Sequence, residues 1–352
     1  MNQVFEQLAI EAVSSCVPPK VISNQFFKGL FNPKELSFFE KTVGIVERRW
    51  VEPSTTASDL GLKAAEELIR KKKYDIEKIK VLIFLSQTSD YKIPFTSNIL
   101  QAKLGLGSDT MCLDVNAGCA GFVQGLSVAF SLSSTLKADE KVLLIVSETL
   151  SKILSPSDRS TTMIFGDAGS AIMIGKSINA NKSYINMFSD GNNFDAIIIE
   201  DGGYRNKVNA SSFVRIGDDN NNVKSKLDLA MDGPRVFDFT LREVAPSISA
   251  LLSDNQIDMG SISYFLFHQS NKFIIKQITN KLKITEDKVL LNIGKFGNTS
   301  GVTIPLLMSY FNNLFSSTNY VLFSGYGSGL NWGNCITDIS KTDILPIIEY
   351  QS

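Results

Sequence analysis

Four short segments of this chain carry residue types suited to chemistry. The first is DVNAGCAGF (114–122), where Cys119 sits between Gly118 and Ala120 at a strand–turn–helix junction. A thiol at a helix N-terminus feels the positive end of the helix dipole, which lowers a cysteine pKa from about 8.5 to about 3.5–7.5. Its small neighbours leave room for a substrate carbonyl. The competing reading is a small packing residue, a role that suits Cys16, Cys112 and Cys335. The second segment is HQSN (268–271). His268 is the single histidine of the chain and ends an apolar strand. A lone histidine on such a strand is more often a core residue, but ligands in α/β folds bind beyond the carboxyl ends of strands. The third is GNTSG, whose Asn298 occupies another strand–turn–helix junction; taken alone it is an ordinary turn or helix-capping asparagine. The fourth, GYGSG (325–329), follows the strand YVLFS. Its glycines let backbone N–H groups approach a ligand closely, which suits either an oxyanion hole or a flexible turn.

The counts exclude several other chemistries. One histidine rules out a zinc site built on several, and no CxxC pair is present. There is no GxSxG elbow, since Tyr326 stands two residues before Ser328, and no phosphate-cradling or dinucleotide glycine loop follows a strand. Lysine plus arginine (35) nearly balances aspartate plus glutamate (36), so gripping nucleic acid is not the main task. Four scattered cysteines form no disulfide framework and predict reduced thiols in the cytoplasm. The leading MNQVFEQLAIEAVSS, with Glu6 and Glu11 and no basic lead-in, reads as a poor signal peptide. No apolar run approaches the ~20 residues of a membrane span.

The elements that must position these residues alternate along the chain. Residues 57–71 show helical spacing through Leu60, Ala64, Leu68 and Ile69. KVLIFL (80–85), KVLLIVS (141–147), SYFLFH (263–268) and YVLFSG (320–325) are short continuous apolar runs, as strands buried on both faces require. The order is that of an α/β protein. The two halves also echo each other. A helix leads to a strand ending at Ser86-Gln87 in the first and at His268-Gln269 in the second. Cys119 to Val142 is 23 residues, as is Asn298 to Val321. This predicts an internal duplication, with halves at 1–176 and 177–352, that places the Cys119 and Asn298 turns at one central point. The basic run 70–73 reads as a solvated last helical turn. The polar stretch 201–226 is either variable decoration or part of a substrate entrance.

Assembled, these motifs resemble those of the thiolase-fold condensing enzymes, specifically the β-ketoacyl-acyl-carrier-protein synthase III family. DVNAGCAGF, HQSN and GNTSG match its nucleophile, histidine and asparagine motifs. TVGIVERRW (42–50), DRSTTMIFGDAGSA (158–171), MDGPRVF (231–237) and GYGSGLNWG (325–333) extend the match in family order. The resemblance implies a thiolase-like fold of two duplicated βα halves packed as a five-layered αβαβα sandwich. It implies a triad of Cys119, His268 and Asn298, with the backbone N–H groups of Cys119 and Ser328 as oxyanion hole. The implied activity is acyl transfer to Cys119 from a thioester of coenzyme A or acyl-carrier protein. Decarboxylative condensation with malonyl-acyl-carrier protein then follows, with no cofactor. Acyl transfer to an alcohol or amine without condensation is the alternative; relatives of that kind often carry an acidic residue in place of the asparagine. A thiolase would need a second cysteine in the glycine-rich segment, where Ser324 and Ser328 stand and from which Cys335 is too distant. At positions where the family grips coenzyme A this chain has Phe38, Thr42 and Phe273, with Lys272 beside the last and Arg159 retained. These departures point toward a carrier-protein thioester as donor. Phe95 matches a residue that crosses the family's dimer interface into the partner's acyl pocket, so a homodimer is expected.

Overall fold

The computed structural model describes residues 1–217, 222–315 and 320–351. Two mixed β-sheets frame it. The first runs, in spatial order, Asp343–Ile344, Leu8–Val17, Ala168–Lys176, Lys141–Glu148, Ile79–Leu85 and Met111–Val115, and Ile348–Glu349 also pairs with Leu8–Val17. The second runs Asn2–Phe5, Ser183–Ser189, Asn331–Asp338, Tyr320–Gly327 and Tyr264–Phe267. Both sheets follow one plan. Two antiparallel pairings lead into a parallel one, through 8–17, 168–176, 141–148 and 79–85 in the first sheet and 183–189, 331–338, 320–327 and 264–267 in the second. The first sheet adds a second parallel pairing to 111–115; the second has there only a parallel bridge from Phe265 to Val289. The duplication expected from the sequence is therefore a repeated sheet topology.

The termini do not respect a division at 176/177. Asn2–Phe5 lies on the edge of the second sheet, while residues 343–344 and 348–349 lie on the edge of the first. Each terminus covers backbone groups that would otherwise form an open sheet edge.

Five layers follow from how the strands distribute their side chains. Val81, Ile83 and Leu85, with Val142, Leu144 and Val146, point to the middle layer, where they meet Phe122, Leu126 and Phe130 of the helix Gly121–Thr135 and Ile304 and Leu307 of the helix Thr303–Tyr310. Their neighbours Leu82, Phe84, Leu143 and Ile145 point outward to Leu60, Ala64 and Leu68 of the helix Ala57–Lys72. The second sheet does the same. Leu266, Val321 and Phe323 face the middle, while Phe265, Phe267 and Leu322 face Ile248, Leu251, Ile275 and Ile278 of the helices Gly233–Asp254 and Lys272–Leu282. Burial on both faces is why these strands read as unbroken apolar runs.

The local expectations shift by a residue or two. The helix 57–72 starts at a Thr56/Asp59 capping box and stops where Lys73 takes a left-handed conformation (φ 55°). In its basic run Arg70 pairs with Glu67 and Lys72 with Asp343, which is a solvated last turn. The 264–267 strand ends one residue before His268, whose N–H still donates to Ser324 O at 2.8 Å. GYGSG is not a loop after its strand: the strand continues to Gly327. The polar excursion carries exposed Tyr204, Phe213 and Ile216, but its hairpin of Ile216–Gly217 with Val223–Lys224 is anchored inward. Val223 N donates to Ser157 O, and Ser155 Oγ donates to Val223 O. Residues 218–221 of the excursion lie outside the described residues.

Candidate active site

Cys119 lies one residue before Ala120, the N-cap of the central helix, and is partly exposed to a cavity. Its Sγ is 3.8 Å from Ser300 Oγ. The turn is crowded. A Cβ on Gly118 would sit 2.3 Å from Gln87 Oε1 and 2.6 Å from Ser328 Oγ, and one on Gly301 would sit 3.0 Å from Gly118 O. The cysteine and asparagine turns therefore do converge, as the duplication predicts. The expected depression of the thiol pKa is not found. Burial pushes the Cys119 thiol up to about 11, outweighing the hydrogen bonds from the Ser300 hydroxyl and from the backbone N–H groups of Cys119 and Ser328 that favour the thiolate. Desolvation of the anion exceeds what the helix N-terminus returns. Burial thus favours the thiol over the thiolate in the resting site.

One imidazole lines the same cavity. His268 is buried, and burial lowers its imidazole to about 3, so the ring is neutral. His268 Nδ1 is 2.8 Å from Thr303 Oγ1. The single hydroxyl hydrogen of Thr303 is already donated to Ser300 O at 2.9 Å. Thr303 Oγ1 must therefore accept from Nδ1–H, which assigns the tautomer and leaves the lone pair on Nε2. The 5.4 Å edge-to-face contact with Tyr326 and the bond from Tyr326 Oη to His268 O (3.2 Å) fix the ring and its backbone.

Asn298 is held as firmly. Its backbone N donates to Ile164 O (2.9 Å) and its O accepts from Gly166 N (3.0 Å). Two glycines permit this approach, since a Cβ on Gly166 would lie 2.2 Å from Phe296 O and one on Gly297 (φ 64°) 2.7 Å from Ile164 O. Asn298 Oδ1 accepts from Ser300 N at 2.8 Å. The carboxamide oxygen is thereby committed, and the Nδ2 donor pair is the end available to a ligand.

The strand ending at Gly327 passes directly over the sulfur. A Cβ on Gly327 would be 2.5 Å from Cys119 Cβ and 3.0 Å from Sγ, so only glycine fits there. Ser328 N–H is directed at Cys119. Ser328 Oγ accepts from Gln87 Nε2 at 3.2 Å. Gln87 is fixed in turn by Glu148, a fully buried carboxylate that accepts from Gln87 N (3.0 Å), Thr88 Oγ1 (2.7 Å) and Ser86 Oγ (3.2 Å). Burial raises Glu148 to about 7.

Two cavities meet at Cys119. The larger, about 580 Å³, is lined by Cys119, His268 and Asn298 and continues past Phe237, Asn271, Asn222 and Lys224. The smaller, about 220 Å³, is lined by Cys119, Leu150, Ile153, the isoleucines 197–199 and Leu229, with Gln87 and Asn116 on its polar side. Asn222 and Lys224 bring the polar excursion onto the wall of the larger cavity.

The remaining expected site residues line neither cavity. Phe38 is 69% exposed on the helix Pro33–Thr42, where Thr42 Oγ1 donates back to Phe38 O. Arg159 pairs with Glu35 at 2.7 Å and lies over the Phe31 ring. Lys272 opens the helix 272–282, and its stem packs against Gly44. Phe273 stacks on Phe237 with ring centroids 6.0 Å apart, one residue layer outside the larger cavity. Phe95 is half-exposed at the start of the helix Thr96–Lys103. Sequence reasoning did not find Ser300, Thr303, Tyr326, Gln87 or Glu148. The duplication held one clue, because Ser86-Gln87 is the counterpart of His268-Gln269.

Among the described residues no helix is long and apolar enough to cross a membrane, and no group of three or more His, Cys, Asp or Glu side chains is placed to hold a metal ion. The family model of 3-oxoacyl-[acyl-carrier-protein] synthase III matches residues 113–191, and the model of that family's C-terminal region matches residues 252–339. The chain is 31% identical over 335 residues to β-ketoacyl-[acyl-carrier-protein] synthase III of Aliarcobacter butzleri, covering 93% of this chain and 96% of that one. It is 32% identical over 334 residues to the Streptococcus agalactiae protein of the same name, covering 94% and 98%. The crystal structure of a 3-oxoacyl-(acyl-carrier-protein) synthase from Burkholderia xenovorans superposes with a TM-score of 0.92 at 33% identity, covering 99% of both chains. Convergent Cys, His and Asn turns on a duplicated five-layer fold, matched over almost the whole length by these relatives, make this chain a member of the β-ketoacyl-acyl-carrier-protein synthase III family.

Proposed function

We propose that the protein is a condensing synthase that takes an acyl group onto Cys119 and joins it to a malonyl unit carried by acyl-carrier protein. The observation that carries this reading is the pair of cavities meeting at one sulfur. One is suited to admit a thioester arm, and the other to shelter the acyl group while a second arm enters.

In the first half-reaction the Cys119 sulfur attacks the donor's thioester carbonyl, and its proton passes toward the departing sulfur with His268 Nε2 as relay. The carbonyl oxygen takes the negative charge and receives hydrogen bonds from the N–H groups of Cys119 and Ser328. Collapse forms the acyl-cysteine, and the departing thiolate recovers the proton from Nε2. In the second half-reaction the malonyl carboxylate leaves as carbon dioxide and its bonding pair forms the enolate of the remaining thioester. Asn298 Nδ2 donates to that enolate oxygen, joined by His268 when Nε2 takes a proton from solvent. The enolate carbon attacks the acyl-cysteine, releasing a β-ketoacyl thioester and a Cys119 thiolate that takes up that proton. Fixed donors aimed at two developing oxyanions are the main source of rate. The chemistry needs no cofactor beyond its thioester substrates. The free Asn298 donor favours condensation over acyl transfer to an alcohol or amine, where no enolate requires it.

The working form is a homodimer in this reading. Met111–Val115 ends the first sheet with a partly exposed edge, and Met111, Phe95, Ile93 and Tyr91 add exposed apolar surface nearby in sequence. A nucleophilic thiol that must stay reduced supports a cytoplasmic location. Incubation with acyl-CoA and acyl-carrier-protein donors, then malonyl-carrier protein, tests the function. Carbon dioxide and β-ketoacyl product are expected; acyl transfer to an alcohol or amine with no carbon dioxide release contradicts it.

A further inference from the structure

Lys224 is the only lysine or arginine among the described residues lining the cavity that reaches Cys119. It also lines a second, outward depression of about 220 Å³, together with Lys226 and Asp228. A residue shared by the two marks where the deep cavity opens to the surface. Its ammonium is weakly held. The sole ion pair it makes among the described residues, with Asp158 Oδ2, is 3.9 Å long. Asp158 is fully buried and already accepts from Ser160 N (2.9 Å), Ser160 Oγ (2.6 Å) and Thr161 Oγ1 (3.0 Å). Asp232, which also lines the cavity, accepts from Arg235 N at 3.1 Å, and the charges beside Lys224 are likewise engaged. Lys226 pairs with Glu200 at 3.5 Å, and Asp228 accepts from Ser225. The backbone beneath Lys224 is fixed, because its hairpin neighbour Val223 is tied through both N and O to residues 155–157.

Resting on the condensing-enzyme reading, we propose that Lys224 is a substrate-recognition residue that pairs with the phosphate of a phosphopantetheine arm as the arm enters the cavity. The malonyl carboxylate is the other anion the reaction supplies. A cation placed on it would stabilise the carboxylate in the ground state and oppose its loss as carbon dioxide. Lys224, whose side chain is 30% exposed, lines both the cavity and the outward depression, whereas Cys119 and Asn298 do not line that depression. A phosphate is common to coenzyme A and to a carrier protein's prosthetic group, so the residue reads the arm rather than what lies beyond it.

The test compares three donors bearing one acyl group, as thioesters of pantetheine, coenzyme A and phosphopantetheinylated carrier protein, on the wild type and on Lys224→Gln and Lys224→Arg. Self-acylation is followed by mass at low and at elevated ionic strength. Lys224→Gln should raise the KM for both phosphate-bearing donors about fivefold, with little change in kcat, and leave the pantetheine donor's KM within about twofold. Lys224→Arg should restore most of the difference. Salt should reduce the wild-type preference for the phosphate-bearing donors over pantetheine and have little effect in Lys224→Gln. Equal effects on all three donors, or none, overturn the assignment. An effect on coenzyme A alone assigns Lys224 to the nucleotide portion and also overturns it. If Lys224→Gln does not fold, a wild type that takes pantetheine and phosphopantetheine donors equally well at low salt refutes it. Failure of every donor to acylate the wild type would instead remove the condensing-enzyme reading.

Discussion

Replacing Asn298 by aspartate separates the two half-reactions. The substitution is nearly isosteric, and the backbone bonds of residue 298 to Ile164 and Gly166 survive it. One carboxylate oxygen takes over the bond from Ser300 N, 2.8 Å long in the wild type. What changes is the other end, where a two-hydrogen donor becomes an anionic acceptor facing the forming enolate. Loss of one preorganised oxyanion donor costs ~2.7–4 kcal/mol, or about 10²–10³ in rate, and the new negative charge adds to this. The first half-reaction uses different donors, the backbone N–H groups of Cys119 and Ser328. Asn298→Asp should therefore acylate itself within about threefold of the wild-type rate while its decarboxylation of malonyl-carrier protein falls at least ~10²-fold. Rapid-quench mass analysis of the acyl-enzyme and labelled carbon dioxide release measure the two steps on one preparation. Equal losses in both steps would refute the division of labour, and unchanged decarboxylation would remove Asn298 from the reaction.

Two further outcomes follow from the hydrogen bonds around the site. Thr303→Val keeps the shape but removes the hydroxyl that accepts from His268 Nδ1–H, leaving the Ser300 backbone as the ring's other partner. Self-acylation should fall about 10–10²-fold, with Thr303→Ser restoring most of it; a Thr303→Ser variant as slow as valine would contradict the tautomer assignment. Glu148 has its folded-state pKa raised from 4.5 to about 7 by burial. The native state therefore holds this proton more tightly than the unfolded chain, and the associated stability is present below pH 4.5 and lost as pH rises through 7. That contribution is on the order of 3 kcal/mol. Denaturant titrations should show it between pH 4.5 and 7 in the wild type, and Glu148→Gln should reduce the slope to what buried Asp167 contributes; an unchanged slope in the variant contradicts the assignment.

Much of this molecule is legible in its sequence because burial on both faces of a strand leaves an unbroken apolar run. Ile79–Leu85, Lys141–Glu148 and Tyr320–Gly327 all announce themselves in that way. The duplication then brings Cys119 and Asn298 together without any side-chain information. Pattern does not reveal how a turn treats charge. A helix N-terminus predicts a lowered thiol pKa at Cys119, but desolvation by the groups packed around the sulfur pushes it the other way. Glycines 325 and 327 read as a loop, yet they belong to a strand whose lack of side chains lets the backbone pass the nucleophile. Thr303 and Glu148 were invisible because their roles arise from partners 35 and 61 residues distant. The terminal exchange between sheets was equally hidden, since strands of two to four residues carry too little pattern to assign.

The central claim is that Cys119 carries the acyl group, and mapping the adduct tests it most directly. Enzyme incubated with an acyl thioester, then digested and analysed by mass, should show one acyl group on the peptide containing Cys119, discharged when malonyl-carrier protein is added. No adduct with any donor, or an adduct on Cys16, Cys112 or Cys335, would contradict it.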